Sequence, residues 1–296
     1  MLLNLLPFIG LGTIILWAPI KYLTSFTHLP ELLSNFVILN KVEEFKPIIE
    51  ILDEAFDVPQ LQVKRRISAL LPHDYYASDA RYSVLYLQDG QNLFNPDAPY
   101  GNWGIDHSLA DLAKEGFKDL IIIAIDHGDD ARVLEYSPYY HPRFGDGKGK
   151  QYVEFLVGTL IPFVEEKYRT RTEAKNRGIG GSSMGGLISL YAGLTRPDVF
   201  CKMMVFSPSL WISPLIFHEA EKYRTEGENA LYLFAGGKES KFHLPNIKKL
   251  MQLIQPILEN SEEGRFIKSI DKEARREELY WAIEFPKAIK WLYFKI

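Results

Sequence analysis

The feature that most restricts the fold of this chain is Gly181-Ser182-Ser183-Met184-Gly185, which fits the pattern G-x-S-x-G. It lies between Arg177–Gly180, which reads as a short strand, and Leu187–Leu194, which reads as a helix. A serine held on so sharp a strand-to-helix turn has a strained backbone and needs small neighbours. Gly181 and Gly185 supply that room. The amide of Met184 then sits at a helix N-terminus, where a developing oxyanion is favoured. Ser183 is therefore the candidate nucleophile and Met184 a candidate oxyanion donor. Such a serine needs a histidine later in the chain. The last histidine is His243, and it is not where that base is expected.

Strand-like and helical stretches alternate from about residue 60 onward. Lys64–Leu71, Val84–Leu87, Leu120–Asp126, Lys202–Phe206 and Leu231–Ala235 read as strands. The unbroken apolar run Leu120–Asp126 fits a strand buried on both faces. Val153, Leu156, Val157, Leu160 and Val164 form a helical stripe, as do Leu244, Ile247, Leu250, Ile254 and Ile257. Pro286, Ala288, Ile289 and Leu292 predict a last helix with proline in its first turn. The alternation predicts an α/β fold, a mainly parallel, doubly wound sheet with helices on both faces. Sites in such sheets form at the carboxyl ends of strands.

Two further residues follow from that rule. Val84–Leu87 runs into Gln88-Asp89-Gly90-Gln91, where Gly90 permits a sharp bend and the amide of Gln91 is the candidate second oxyanion donor. Asp89 reads equally as a structural residue pinning this loop. Glu239 lies just past the carboxyl end of Leu231–Ala235, where the orienting acid belongs in the chain order serine, acid, histidine.

The chain has 296 residues, a net charge of −4 and a single cysteine, Cys201. The length suits one large α/β domain over 49–296 behind an apolar extension over 1–48. Residues 1–20 carry no ionisable side chain and are about as long as a bilayer core requires. They read either as an arm packed on the domain or a partner, or as a single membrane anchor. One cysteine excludes an intrachain disulfide and fits a reducing compartment, so the localisation readings are cytoplasmic or membrane-anchored. Nothing basic enough for nucleic acid is present, no metal-ligand motif occurs, and no cofactor is implied.

Several longer stretches carry a family resemblance. They are Asp89–Phe94, Asn102–Asp106, Ile125–Gly128 with Arg132, Glu135 and Tyr136, Ile179–Gly186, Phe206–Trp211 and Phe285–Leu292. Together they resemble the esterase family of α/β hydrolases that includes esterase D and the enterochelin esterases, most closely its bacterial predicted hydrolases. The resemblance covers roughly residues 50–296. It implies an α/β-hydrolase fold and hydrolysis of carboxylic esters, with Ser183 as nucleophile and Glu239 as acid. The implied partner is a small-molecule ester or acid.

One position departs from that pattern. Relatives carry a histidine about five residues before a tryptophan. With Trp281 as that tryptophan and Glu278 as the glutamate that precedes it, the histidine position holds Arg276. Arginine stays protonated and cannot act as a general base. The expectation is a serine esterase impaired at its base. The alternatives are an inactive scaffold binding an ester or carboxylate, or an acyltransferase built from the same residues. His127 follows a strand and reads also as a substrate contact; His243 and His218 are the other histidines that could supply a base. Trp103, Tyr136 and Trp211 are expected to wall the pocket, Arg132 and Glu135 to pair, and the loop over 126–150 to shape it.

Overall fold

The computed structural model describes residues 45–98, 101–118, 120–225 and 227–294. Eight strands form one sheet: β1 (Ile48–Val58), β2 (Val63–Leu71), β3 (Ser83–Gln88), β4 (Leu120–Ile125), β5 (Arg177–Ser182), β6 (Lys202–Phe206), β7 (Ala230–Gly236) and β8 (Arg265–Asp271). Their order across the sheet is β1-β2-β4-β3-β5-β6-β7-β8. The β1–β2 and β2–β4 pairs are antiparallel; every pair from β4 to β8 is parallel.

The longer helices among the described residues are α1 (Ile105–Lys114), α2 (Gly149–Phe155), α3 (Ile161–Lys167), α4 (Ser183–Thr195), α5 (Ile216–Lys222), α6 (His243–Glu259) and α7 (Glu278–Tyr293). They cover both faces because central strands are apolar on both sides. In β4, Ile121, Ile123 and Ile125 join one core layer with α4, α5 and α6, while Leu120, Ile122 and Ala124 join the other with α1 and α7. The chain reverses direction across the sheet between β3 and β5, which places a crevice at the carboxyl ends of those strands.

One element reading changes. The last helix begins at Glu278, so Pro286 lies in its interior and not its first turn. Strands β1 and β8 are edges whose polar and apolar residues mix, and neither stood out in the sequence. Among the described residues no helix is long and apolar enough to cross a membrane. Residues 1–20, with both readings made of them, lie outside the described residues.

Candidate active site

Ser183 sits at the first position of α4, directly after β5, with φ of 58°. A non-glycine residue in the left-handed region costs roughly 1–3 kcal/mol, and such strain persists only where the surroundings enforce it. The surroundings here are tight. A Cβ on Gly185 would lie 2.6 Å from Asp89 Oδ2, and one on Gly181 would lie 2.9 Å from the Gly185 carbonyl carbon. Both glycines are thus required for the turn to close. Asp89, itself at φ 61°, takes two hydrogen bonds from Arg132, Nε at 2.6 Å and Nη2 at 2.7 Å. Burial opposes the charge on Arg132, but Asp89 raises its proton affinity above the usual value. This part-buried pair ties the turn after β3 to the segment after β4.

Glu239 is equally fixed. Its side chain is 2% exposed, and its Oε1 accepts from Ser207 Oγ at 2.5 Å and from the Gly236 amide at 2.8 Å. Trp281 Nε1 donates to Ser207 Oγ at 3.1 Å, extending the chain of bonds into the core. The other carboxylate oxygen faces His243 Nε2 at 3.3 Å and Arg276 Nη1 at 3.6 Å. Lys238 pairs with Glu273 and leaves Glu239 to the site.

Arg276 lies between β8 and α7, and its Nη2 donates to Ser183 Oγ at 2.7 Å. The same nitrogen donates to Ser209 Oγ. Among the described residues an arginine, and no histidine ring, therefore holds the Ser183 hydroxyl. Burial lowers the proton affinity of Arg276, Glu239 opposes that, and Arg132 adds to it. His243 opens α6, is 5% exposed, and has its basicity lowered by burial; Glu239 works against that shift and Arg276 with it. His243 has no hydrogen bond to Ser183.

Two cavities meet at Ser183, Arg276 and Val133. One, of about 800 Å³, is walled by Leu210, Trp211, Ile212, Phe217 and Phe242, with His243 and Met184 also on its surface. The other, of about 550 Å³, is polar and includes Asp89, Gln91, His127, Asp130 and Glu278. Burial raises the pKa of the Glu278 carboxyl. In the polar cavity the Gln91 side chain grips the His127 backbone, with Nε2 on the carbonyl and Oε1 on the amide, each at 3.0 Å.

The structure brings together Ser183, Met184, Gln91, His127, Trp211, Glu239 and Arg276. It does not bring Trp103 or Tyr136 to the cavities. Trp103 is 4% exposed and stacks on Phe206 at 5.6 Å, because the core beside α7 is where so large a ring is buried. Tyr136 is fully buried against Tyr152 and beneath Arg132. Arg132 and Glu135 do not pair: Arg132 binds Asp89, and Glu135 binds Arg65 on β2. His218 is exposed beside Glu221 and lines neither cavity. Ser207 and Ser209 are the site residues that the sequence left unassigned. Their signal was position, since both directly follow the carboxyl end of β6, the parallel neighbour of β5.

Known proteins show the same scaffold. The structure superposes on a ferulic acid esterase with a TM-score of 0.64 at 19% identity, covering 84% of this chain and 98% of that one. It also superposes on the enterobactin esterase FES from Shigella flexneri, TM-score 0.64 and 19% identity, over 84% of this chain and 59% of that one. In sequence, YbbA of Bacillus subtilis is 28% identical over 242 residues, which is 78% of this chain and 93% of the relative. The ferri-bacillibactin esterase BesA of the same organism is 27% identical over 129 residues, 42% of this chain and 43% of the relative. Residues 59–249 match the family described as Putative esterase. A serine presented above an α/β sheet, a buried carboxylate beside it and this match agree, and the chain belongs to the putative-esterase family of α/β hydrolases.

Proposed function

We propose that the protein hydrolyses carboxylic esters through an acyl-enzyme on Ser183, at a rate limited by the absence of a base on its hydroxyl. The supporting observation is the contact of Arg276 Nη2 with Ser183 Oγ at 2.7 Å. In the first step the Ser183 Oγ–acyl carbon bond forms and the hydroxyl proton passes to solvent water, which in turn supplies the proton that the leaving alcohol needs. The amides of Met184 and Gln91 hold the oxyanion, and the acyl–alcohol bond then breaks as the alcohol takes up a proton. Water releases the acyl group in the second step. A guanidinium on Oγ favours the developing negative charge but cannot accept the proton. Removing a member of a triad costs on the order of 10⁴–10⁶ in turnover. Slow hydrolysis is therefore expected. Transfer of the acyl group to an alcohol would use the same residues.

The test is acyl-enzyme trapping with p-nitrophenyl butyrate, followed by intact mass and peptide mapping. A single acyl group on Ser183, absent in Ser183→Ala, is the expected result. Hydrolysis unchanged by Ser183→Ala, or no turnover above buffer, contradicts the proposal.

A further inference from the structure

Arg276 lies where the apolar cavity and the polar cavity join, with its side chain 30% exposed. Among the described residues that line the apolar cavity, the only carboxylate is Glu239. That carboxylate is already committed. One oxygen accepts from Ser207 and the Gly236 amide, and the other is shared between His243 and Arg276. At 3.6 Å the Arg276–Glu239 approach is an ion pair without a hydrogen bond. A part-buried guanidinium bonded to two neutral hydroxyls, with so incomplete an anionic partner, carries a cost that an added anion relieves. The lowered proton affinity of Arg276 has the same cause.

We propose that this site binds a monocarboxylic acid with an apolar body, its carboxylate on Arg276 and its body in the cavity walled by Leu210, Trp211, Ile212, Phe217 and Phe242. The planar fork of arginine matches a carboxylate and can bond both of its oxygens. The start of α4, a helix of 13 residues, adds positive potential at the same point. Charge across the junction selects against a second negative group. Asp89, Asp129, Asp130 and Glu278 line the polar cavity, against Arg132 and the shared Arg276. A dicarboxylate or phosphate placed at the junction would meet that acidic side. The inference rests on the same cavity as the proposed ester site, since such an acid is what hydrolysis of an apolar ester would leave there, but it requires no turnover.

The experiment is calorimetric titration of the full chain with octanoate and, separately, with 1-octanol. It is repeated in Arg276→Gln, Arg276→Lys and Ser183→Ala. Octanoate should bind roughly tenfold or more tighter than the alcohol, as expected of a desolvated charge-assisted pair. Arg276→Gln should erase that preference and Arg276→Lys should keep part of it, while Ser183→Ala, which removes a hydroxyl that competes for Nη2, should not lower it. Equal binding of acid and alcohol, no binding of either, or a preference that survives Arg276→Gln overturns the proposal. Binding without Ser183-dependent turnover would sink the hydrolase reading alone. Turnover without acid selectivity would sink this one alone.

Discussion

At Arg276 a group that only donates contacts the Ser183 hydroxyl, where the proposed mechanism calls for a proton acceptor. In that reading the departure is local, because Glu239, the proposed acid, is held in place. Glu239 keeps its bonds to Ser207 and Gly236, and its free oxygen faces His243 and Arg276. His243 thereby acquires a titration consequence. Burial and Arg276 disfavour its charged form, Glu239 favours it, and the net shift is downward from the usual 6.5. As pH falls below about 6.5 the unfolded chain takes up this proton before the folded one does. Stability contributed by neutral His243 is thus complete above 6.5 and declines as pH drops toward its lowered folded value. Urea unfolding between pH 7.5 and 5.5 should show this decline in the wild type and a flatter profile in His243→Gln. Identical profiles would show that His243 titrates alike in both states. At this scale the sequence was informative where chemistry is tied to a motif, as at Ser183, Glu239 and Arg276. It misled where only size and aromaticity guided it. Trp103 and Tyr136 look like pocket walls in sequence, yet rings that large are also what a core buries.

At the scale of elements, close approach of β5 to its neighbours positions Ser183. Gly180 shows how little space remains. A Cβ there would lie 2.8 Å from Met204 Cβ and 2.9 Å from the Met204 carbonyl oxygen on β6. Overpacking of this kind costs roughly 1–3 kcal/mol. Gly180→Ala should lower stability by about that amount in denaturant unfolding, and an unchanged midpoint would show that β6 yields freely. The inner parallel strands were legible because burial on both faces leaves continuous apolar runs, as in β4, whereas the parallel edge strand β8 lacks that burial. Strand β1 was not, since Glu50, Asp53, Glu54 and Asp57 interrupt it and two register shifts break its pairing with β2. The start of α7 was missed for a different reason. Proline is favoured in a first turn, but here Pro286 lies inside a helix packed along the core.

At the scale of the molecule, sheet topology does the assembly. Carboxyl ends of β3, β4, β5, β6, β7 and β8 deliver Gln91, His127, Ser183, Ser209, Glu239 and Arg276 to one edge. These residues are far apart in sequence, and only the parallel order makes them neighbours. The two-lobed cavity was beyond the sequence because it depends on how the segments after β4 and β6 pack over that edge. The central claim is that this edge retains a working hydrolase scaffold with Arg276 in place of its base. The most direct measurement is the rate of p-nitrophenyl butyrate hydrolysis by Arg276→His beside the wild type, each with and without Ser183→Ala. A rise of roughly tenfold or more in Arg276→His, as expected when a general base is supplied, and lost on adding Ser183→Ala, is the predicted result. A rate that falls or stays level in a folded Arg276→His would contradict the account and show that Arg276 does not occupy the place of the base.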